Sequence, residues 1–216
     1  MIEFILVSGG DINIELLSSY LKNKEYRIMA IDKGIEALSM INVKPDYILG
    51  DFDSVDKSIY ESYIEKYPDA EVAKYNAEKD YTDTELGIRT ALKNGASSIT
   101  IFGGTGTRLD HTIANIRTLN IALEQGVFAQ IIDNNNRIYL AQNNLSLYKD
   151  KLFGNYISIL PYENSLQKVT LKGFKYDLDN VIMLYGASTG ISNEIISDEA
   201  SITCDNGIFI IIESRD

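Results

Sequence analysis

The stretch RIMAIDKGIEALSMINVKPDYILGDFD, Arg27 to Asp53, decides how the chain is read. Arg27 to Asp32 is a short apolar run and reads as a strand. Ile35 to Ile41 then carries apolar residues at helical spacing, and Tyr47 to Gly50 returns to a strand. Strand, helix and strand in one short stretch make a crossover unit, which pairs its two strands in parallel. The same texture continues on both sides. Glu3 to Ser8, Ser98 to Phe102 and Phe128 to Asp133 read as strands. Ile12 to Lys22, Asp56 to Tyr67, Thr82 to Asn94 and Asp110 to Gln125 read as helices. The fold class expected is therefore α/β, with a Rossmann-like parallel sheet covered by helices on both faces over residues 1–140. Ligands of such sheets bind at the carboxyl ends of the strands.

After residue 140 the helical patterns stop. Asn155 to Leu160, Lys168 to Phe174, Asn180 to Tyr185 and Gly207 to Glu213 read as short strands between turn-prone residues. Residues 141–216 are expected to form a small antiparallel β-sandwich or barrel. Asp133-Asn134-Asn135-Asn136 is the strongest turn and lies just before the junction.

Composition narrows the function. The net charge is -11, which disfavours a nucleic-acid footprint built on clustered Lys and Arg. No apolar run approaches the roughly 20 residues that cross a bilayer. The opening residues lack a basic region before a short apolar run, so no signal peptide is expected. Cys204 is the only cysteine, which excludes an internal disulfide and a cysteine-based zinc site. A cytoplasmic enzyme with no membrane partner fits these features.

Three motifs carry chemistry, the first and third at the end of an expected strand. Gly50-Asp51-Phe52-Asp53-Ser54 presents two carboxylates at a spacing that faces one side of an extended chain. Hard carboxylate oxygens suit magnesium, which takes one or two of them together with substrate phosphates. An ordinary turn closed by an aspartate explains the same residues in isolation. Lys79-Asp80-Tyr81-Thr82-Asp83-Thr84-Glu85 contains a capping box, Thr82 with Glu85, and places Asp83 in a first helical turn. Gly103-Gly104-Thr105-Gly106-Thr107-Arg108-Leu109-Asp110-His111 is a glycine-rich turn before a helix that carries Asn115. Its backbone N–H groups suit phosphate oxygens, and Arg108 adds a forked donor. It matches neither the P-loop nor G-x-G-x-x-G, where Leu109 replaces the last glycine. His111 is the sole histidine, and a residue of that kind at a helix start is more often a cap or packing group than a base. Ser8-Gly9-Gly10-Asp11 and Asp32-Lys33-Gly34 follow the first two strands. Each of these turns is ordinary alone; together they converge on one sheet edge.

The set resembles the thiamine pyrophosphokinase family. The pieces that match, in order, are Gly9-Gly10; Ala30 to Gly34; Gly50 to Ser54; Lys79 to Asp83; Gly103-Gly104 through His111 and Asn115; and Ser188 to Glu194. The resemblance implies an α/β catalytic domain, a C-terminal β-domain that binds thiamine, and a homodimer with composite sites across the subunit interface. It implies that ATP donates a pyrophosphoryl group to the hydroxyl of thiamine, giving thiamine diphosphate and AMP. It implies magnesium on Asp51, Asp53 and Asp83. Nucleotide contacts are implied at Gly9, Gly10, Asp32, Lys33, Gly103, Gly104, Arg108, His111 and Asn115, and thiamine contacts at Ser192 and Asn193. Asp80 or Asp110 is left as acceptor of the hydroxyl proton. The chain departs from the family at Lys33, where glycine is usual, and at Thr107, which shortens the glycine run. Lys33 points either to a phosphate or to solvent.

Two other readings compete. Asp51-Phe52-Asp53-Ser54-Val55 fits the nucleophile motif of haloacid-dehalogenase-type phosphatases, in which Asp51 would be phosphorylated. That motif usually ends a first strand, whereas here it ends the third. A non-catalytic nucleotide-binding regulator would bind ATP without turnover.

Overall fold

A computed structural model describes residues 1–22, 24–74, 80–164 and 167–216, so Lys79 of the second motif lies outside the described residues. The chain divides into two compact units, Met1–Asn134 and Asn135–Asp216, whereas the change of texture in the sequence comes near residue 140.

In the first unit, strands β1 (Ile2–Val7), β2 (Arg27–Ile31), β3 (Tyr47–Gly50), β4 (Glu71–Lys74), β5 (Ala96–Phe102) and β6 (Phe128–Ile132) alternate with helices α1 (Ile14–Leu21), α2 (Gly34–Met40), α3 (Lys57–Lys66), α4 (Asp83–Lys93) and α5 (Leu109–Leu123). The strands lie in the order β4-β3-β2-β1-β5-β6, and every pair is parallel. The central strand β1 is apolar throughout its second half, with Phe4, Ile5, Leu6 and Val7 all buried. A strand covered on both faces needs such an unbroken apolar run. β4 was not legible in the sequence, because Glu71-Val72-Ala73-Lys74 is an exposed edge with no apolar run.

Side chains set where the helices begin. Asn13 accepts the Leu16 N–H at 3.0 Å to start α1, and Asp56 accepts the Ser58 N–H at 2.8 Å to start α3. Thr82 accepts the Glu85 N–H at 3.2 Å, which is half of the expected capping box. The other half is spent elsewhere, since Glu85 pairs with Arg89 one turn later at 2.8 Å.

The second unit is antiparallel throughout. Strand β13 (Ile208–Ser214) lies between β7 (Asn136–Gln142) and β9 (Tyr156–Pro161). A second sheet runs β11 (Leu178–Met183), β10 (Gln167–Lys172), β12 (Glu199–Cys204), β8 (Leu145–Tyr148). Both sheets feed one apolar cluster, with Ile157, Ile159, Phe209 and Ile211 from the first and Val169, Leu171, Ala200 and Ile202 from the second. The sequence reading did not find β7, β8 and β12. β8 and β12 hide one buried and one exposed face under a polar texture, as in Glu199-Ala200-Ser201-Ile202-Thr203-Cys204. Among the described residues no helix is long and apolar enough to cross a membrane.

Glu213 is fully buried in this unit. It accepts hydrogen bonds from the Arg137 guanidinium, from the Tyr139 hydroxyl at 2.9 Å and from the Phe153 N–H at 2.7 Å. Burial and the Glu213 carboxylate push the Tyr139 phenol well above its usual value, so it stays a donor. Removing one partner of such an ion pair strands the other. Glu213→Ala is expected to lower the unfolding free energy by about 3 kcal/mol, measured by urea denaturation. A loss under about 1 kcal/mol would mean that the pair contributes no more than an exposed one.

Candidate active site

β1 and β5 are neighbours, yet the chain leaves β1 toward β2, β3 and β4 on one side and then crosses back to add β5 and β6 on the other. A parallel sheet opens a crevice at such a switch point. The two loops that leave these strands are laced by backbone. Ser8 N–H donates to Phe102 O at 2.8 Å, Gly10 N–H to Gly103 O at 3.0 Å, and Asp11 N–H to Thr105 O at 2.8 Å. Only glycine fits at position 10, because a Cβ there would lie 2.1 Å from Thr105 O.

A cleft of about 510 Å³ opens at this edge. Gly9, Gly10, Asp32 and Lys33 line it from the turns after β1 and β2, and Asp83 from the start of α4. Gly103, Gly104, Arg108, His111 and Asn115 line it from the β5–α5 connection. Asp51, Asp53, Asp80 and Asp110 are not on its wall.

Asp32 sits at the tightest point. Its φ is 47°, its N–H donates to Leu49 O at 3.0 Å, and its carbonyl accepts the Ile35 N–H at 3.2 Å. Gly50 leaves room for its carboxyl, because a Cβ at Gly50 would lie 2.0 Å from Asp32 Oδ1. Burial, then the neighbouring carboxylates of Asp83 and Asp51, push the Asp32 carboxyl up to about 7. Its Oδ1 is buried without a hydrogen-bond partner. A buried carboxyl with an unsatisfied oxygen, beside the carboxylates of Asp83 and Asp51, suits a divalent cation. Among the described residues no group of three or more His, Cys, Asp or Glu is arranged to hold an ion unaided. Magnesium does not demand that, since it takes one or two carboxylates and completes its shell from phosphates and water.

The paired-aspartate argument needs an extended chain at Asp51 to Asp53, and the chain there turns. Phe52 has φ 64°, its ring lies 4.6 Å from that of Tyr60, and Asp53 N–H donates to Asp51 Oδ1 at 3.0 Å. Asp51 remains close enough to act on Asp32, while Asp53 is exposed.

On the α5 side, Arg108 is held by Asp110 through Nη2–Oδ2 at 2.6 Å. That contact lowers the proton affinity of Asp110, which makes it a weak base. Asn115 is buried, and its Nδ2 donates to Gly104 O at 2.8 Å, so its amide fixes the loop. His111 is exposed at the rim.

Two features were not legible in the sequence. The Ser8 and Thr84 hydroxyls meet at 3.0 Å on the buried wall and tie the β1 loop to the helix turn that carries Asp83. Thr105 Oγ1 donates to Asp133 Oδ2 at 2.8 Å, which anchors the glycine-rich loop to the end of β6. Both are long-range pairs of common polar residues, and no local motif marks them.

In the second unit, Ser192 has φ 53°, and its N–H donates to Ser158 Oγ at 3.1 Å. Asn193 is only 3% exposed. Its Nδ2 donates to Tyr176 O at 2.9 Å, and its Oδ1 accepts the N–H groups of Tyr176 at 3.1 Å and Glu194 at 2.9 Å. The Asn193 amide is thus committed to backbone on both ends. Beside it lies a cavity of about 180 Å³ lined by Tyr176, Thr189, Gly190 and Ile191.

Comparison with known proteins assigns the chain. Residues 17–131 match the family model "Thiamin pyrophosphokinase, catalytic domain", and residues 142–209 match "Thiamin pyrophosphokinase, vitamin B1 binding domain". The chain is 34% identical over 213 residues to the thiamine pyrophosphokinase of Bacillus subtilis, covering 98% of each. The crystal structure of the Bacillus subtilis enzyme superposes with a TM-score of 0.89 at 31% identity over 99% of both chains. That of the thiamin pyrophosphokinase from Geobacillus thermodenitrificans gives 0.86 at 28% identity over 100% of this chain and 98% of that one. Two family models that together span most of the chain, and a relative matched along its whole length, establish that this chain belongs to the thiamine pyrophosphokinase family.

Proposed function

We propose that the chain transfers the pyrophosphoryl group of ATP to the hydroxyl of thiamine, giving thiamine diphosphate and AMP. The observation that carries this reading is the end-to-end match to the Bacillus subtilis thiamine pyrophosphokinase, which includes both units. The cleft at the β1/β5 switch point supports it, because backbone N–H groups, carboxylates and cations meet there around a space sized for a polyphosphate.

On this reading the first unit is a Rossmann-like nucleotide domain, and the second is a β-sandwich or barrel that binds thiamine and forms a homodimer. The enzyme works in the cytoplasm, where ATP is supplied. Magnesium, held by Asp51 and Asp83 with the Asp32 carboxyl beside them, would neutralise charge on the phosphate chain, while Asp53, exposed and off the cleft wall, stays outside this set. The β5–α5 loop and Arg108 hold the nucleotide, and Asn115 keeps that loop rigid. Asp80 is preferred to Asp110 as acceptor of the thiamine proton, because Arg108 already occupies Asp110. Asn193 supports the thiamine site by fixing the backbone of Tyr176, and Ser192 presents the neighbouring surface.

Incubation with ATP, magnesium and thiamine, followed by separation of products, tests the reaction. Equal amounts of AMP and thiamine diphosphate are expected, with no ADP. ADP with thiamine monophosphate would refute pyrophosphoryl transfer. Inorganic phosphate with a trapped phospho-aspartate would favour the phosphatase reading, and binding without turnover the regulator.

The metal assignment has its own test. Asp51→Asn and Asp83→Asn are each expected to cost on the order of a hundredfold in turnover, the scale of losing a main source of charge stabilisation. Both should also lose the rise in melting temperature that magnesium gives the wild type. A variant that keeps near-normal turnover and the full magnesium shift would remove that aspartate from the site.

The dimer is tested by complementation between Asp51→Asn and Ser192→Ala/Asn193→Ala. With composite sites, random reassociation makes about half of the dimers mixed, each with one intact site, so roughly a quarter of wild-type activity returns. No recovery, with heterodimers shown to form, would place each active site within one chain.

A further inference from the structure

The cleft has two charged sides. On the β5–α5 side the cation is Arg108, and it is already bound to Asp110. On the β2–α4 side the wall carries the carboxylates of Asp32 and Asp83 and, among the described residues, one cation, Lys33. The Lys33 side chain is exposed and lines the cleft, and among the described residues it has no ion-pair or hydrogen-bond partner. Nor does it neutralise its neighbour, since burial and the two other carboxylates govern the Asp32 proton. The Lys33 Cβ lies 3.2 Å from the point where a Cβ on residue 9 would stand, so Gly9 leaves the space in which the lysine stem passes the β1 loop. A free ammonium held beside carboxylates, in a chain with net charge -11, is poised for an incoming anion.

We propose that Lys33 recognises the terminal phosphates of the nucleotide, as distinct from the phosphate that stays with the nucleoside. This rests on the reading of ATP as the donor. A divalent cation held by these carboxylates would be drawn to the most highly charged end of the nucleotide, its terminal phosphates. The terminal phosphates therefore belong on the side where carboxylates can share that cation, and among the described residues Lys33 is the protein cation that lines the cleft there. Lysine offers a point charge on a flexible stem, which suits a tail that must enter and then leave with the acceptor. Lys33 thereby makes the site selective for a long polyphosphate over AMP, the product to be released.

Isothermal calorimetry with magnesium, using inorganic tripolyphosphate and AMP as separate probes, tests the proposal on wild type, Lys33→Met and Lys33→Arg. Lys33→Met is expected to weaken tripolyphosphate binding about tenfold, the scale of one charge-assisted contact. AMP affinity and melting temperature should not change, and Lys33→Arg should keep most of the tripolyphosphate affinity. In turnover, Lys33→Met should raise the KM for ATP and leave that for thiamine unchanged. Tripolyphosphate binding that is the same in Lys33→Met and wild type overturns the proposal, as does a parallel loss of AMP affinity. If wild type fails to form AMP and thiamine diphosphate, the transfer reading falls, and the tripolyphosphate comparison still judges Lys33.

Discussion

The backbone lacing between the β1 and β5 loops is the constraint on which the active-site cleft depends. Three N–H groups of one loop are spent on carbonyls of the other, from Ser8 to Asp11 and from Phe102 to Thr105. Two loops so joined form one wall of the cleft. The requirement is local and strict. Gly10 and Gly103 stand where a Cβ would overlap a carbonyl oxygen of the opposite loop, and Asn115 and Asp133 pin the far end of the wall through their side chains.

Charge is the second organising element. The carboxylates of Asp32, Asp83 and Asp51 are held near one another at a cost, visible in the raised proton affinity of Asp32. Such a cluster of like charges is unfavourable in the empty protein, and a bound cation would relieve it. The geometry that enforces it is again glycine, since only the missing side chain at Gly50 admits the Asp32 carboxyl.

The second unit uses buried polar groups for a different end. Glu213 gathers Arg137, Tyr139 and the Phe153 N–H, and Asn193 gathers Tyr176 and Glu194. Every hydrogen bond of this kind restricts which loops can lie together, and buried groups left unpaired would be costly. Asn193 lines the small cavity of this unit, and its amide is held by the backbone of Tyr176 and Glu194.

The sequence by itself determined the α/β order of the first unit, the strand ends on which most of the motifs sit, and the helix starts at Asp56 and Thr82. These depend on apolar periodicity and capping, which act over a few residues. It also marked Gly9, Asp32, Asp83 and the Gly103 to Arg108 loop, because turns that are ordinary alone were expected together on one sheet edge. Only the tertiary structure decided that Asp53 is exposed off the cleft wall, that Arg108 is engaged by Asp110, that Ser8 meets Thr84, and that Lys33 faces the cleft without a partner among the described residues. The strands β4, β7, β8 and β12 also became visible only there. Their residues are half polar, and what makes them strands is the neighbour that each one pairs with. Local propensity cannot encode a partner far away in the chain, whereas packing and hydrogen bonding can choose one.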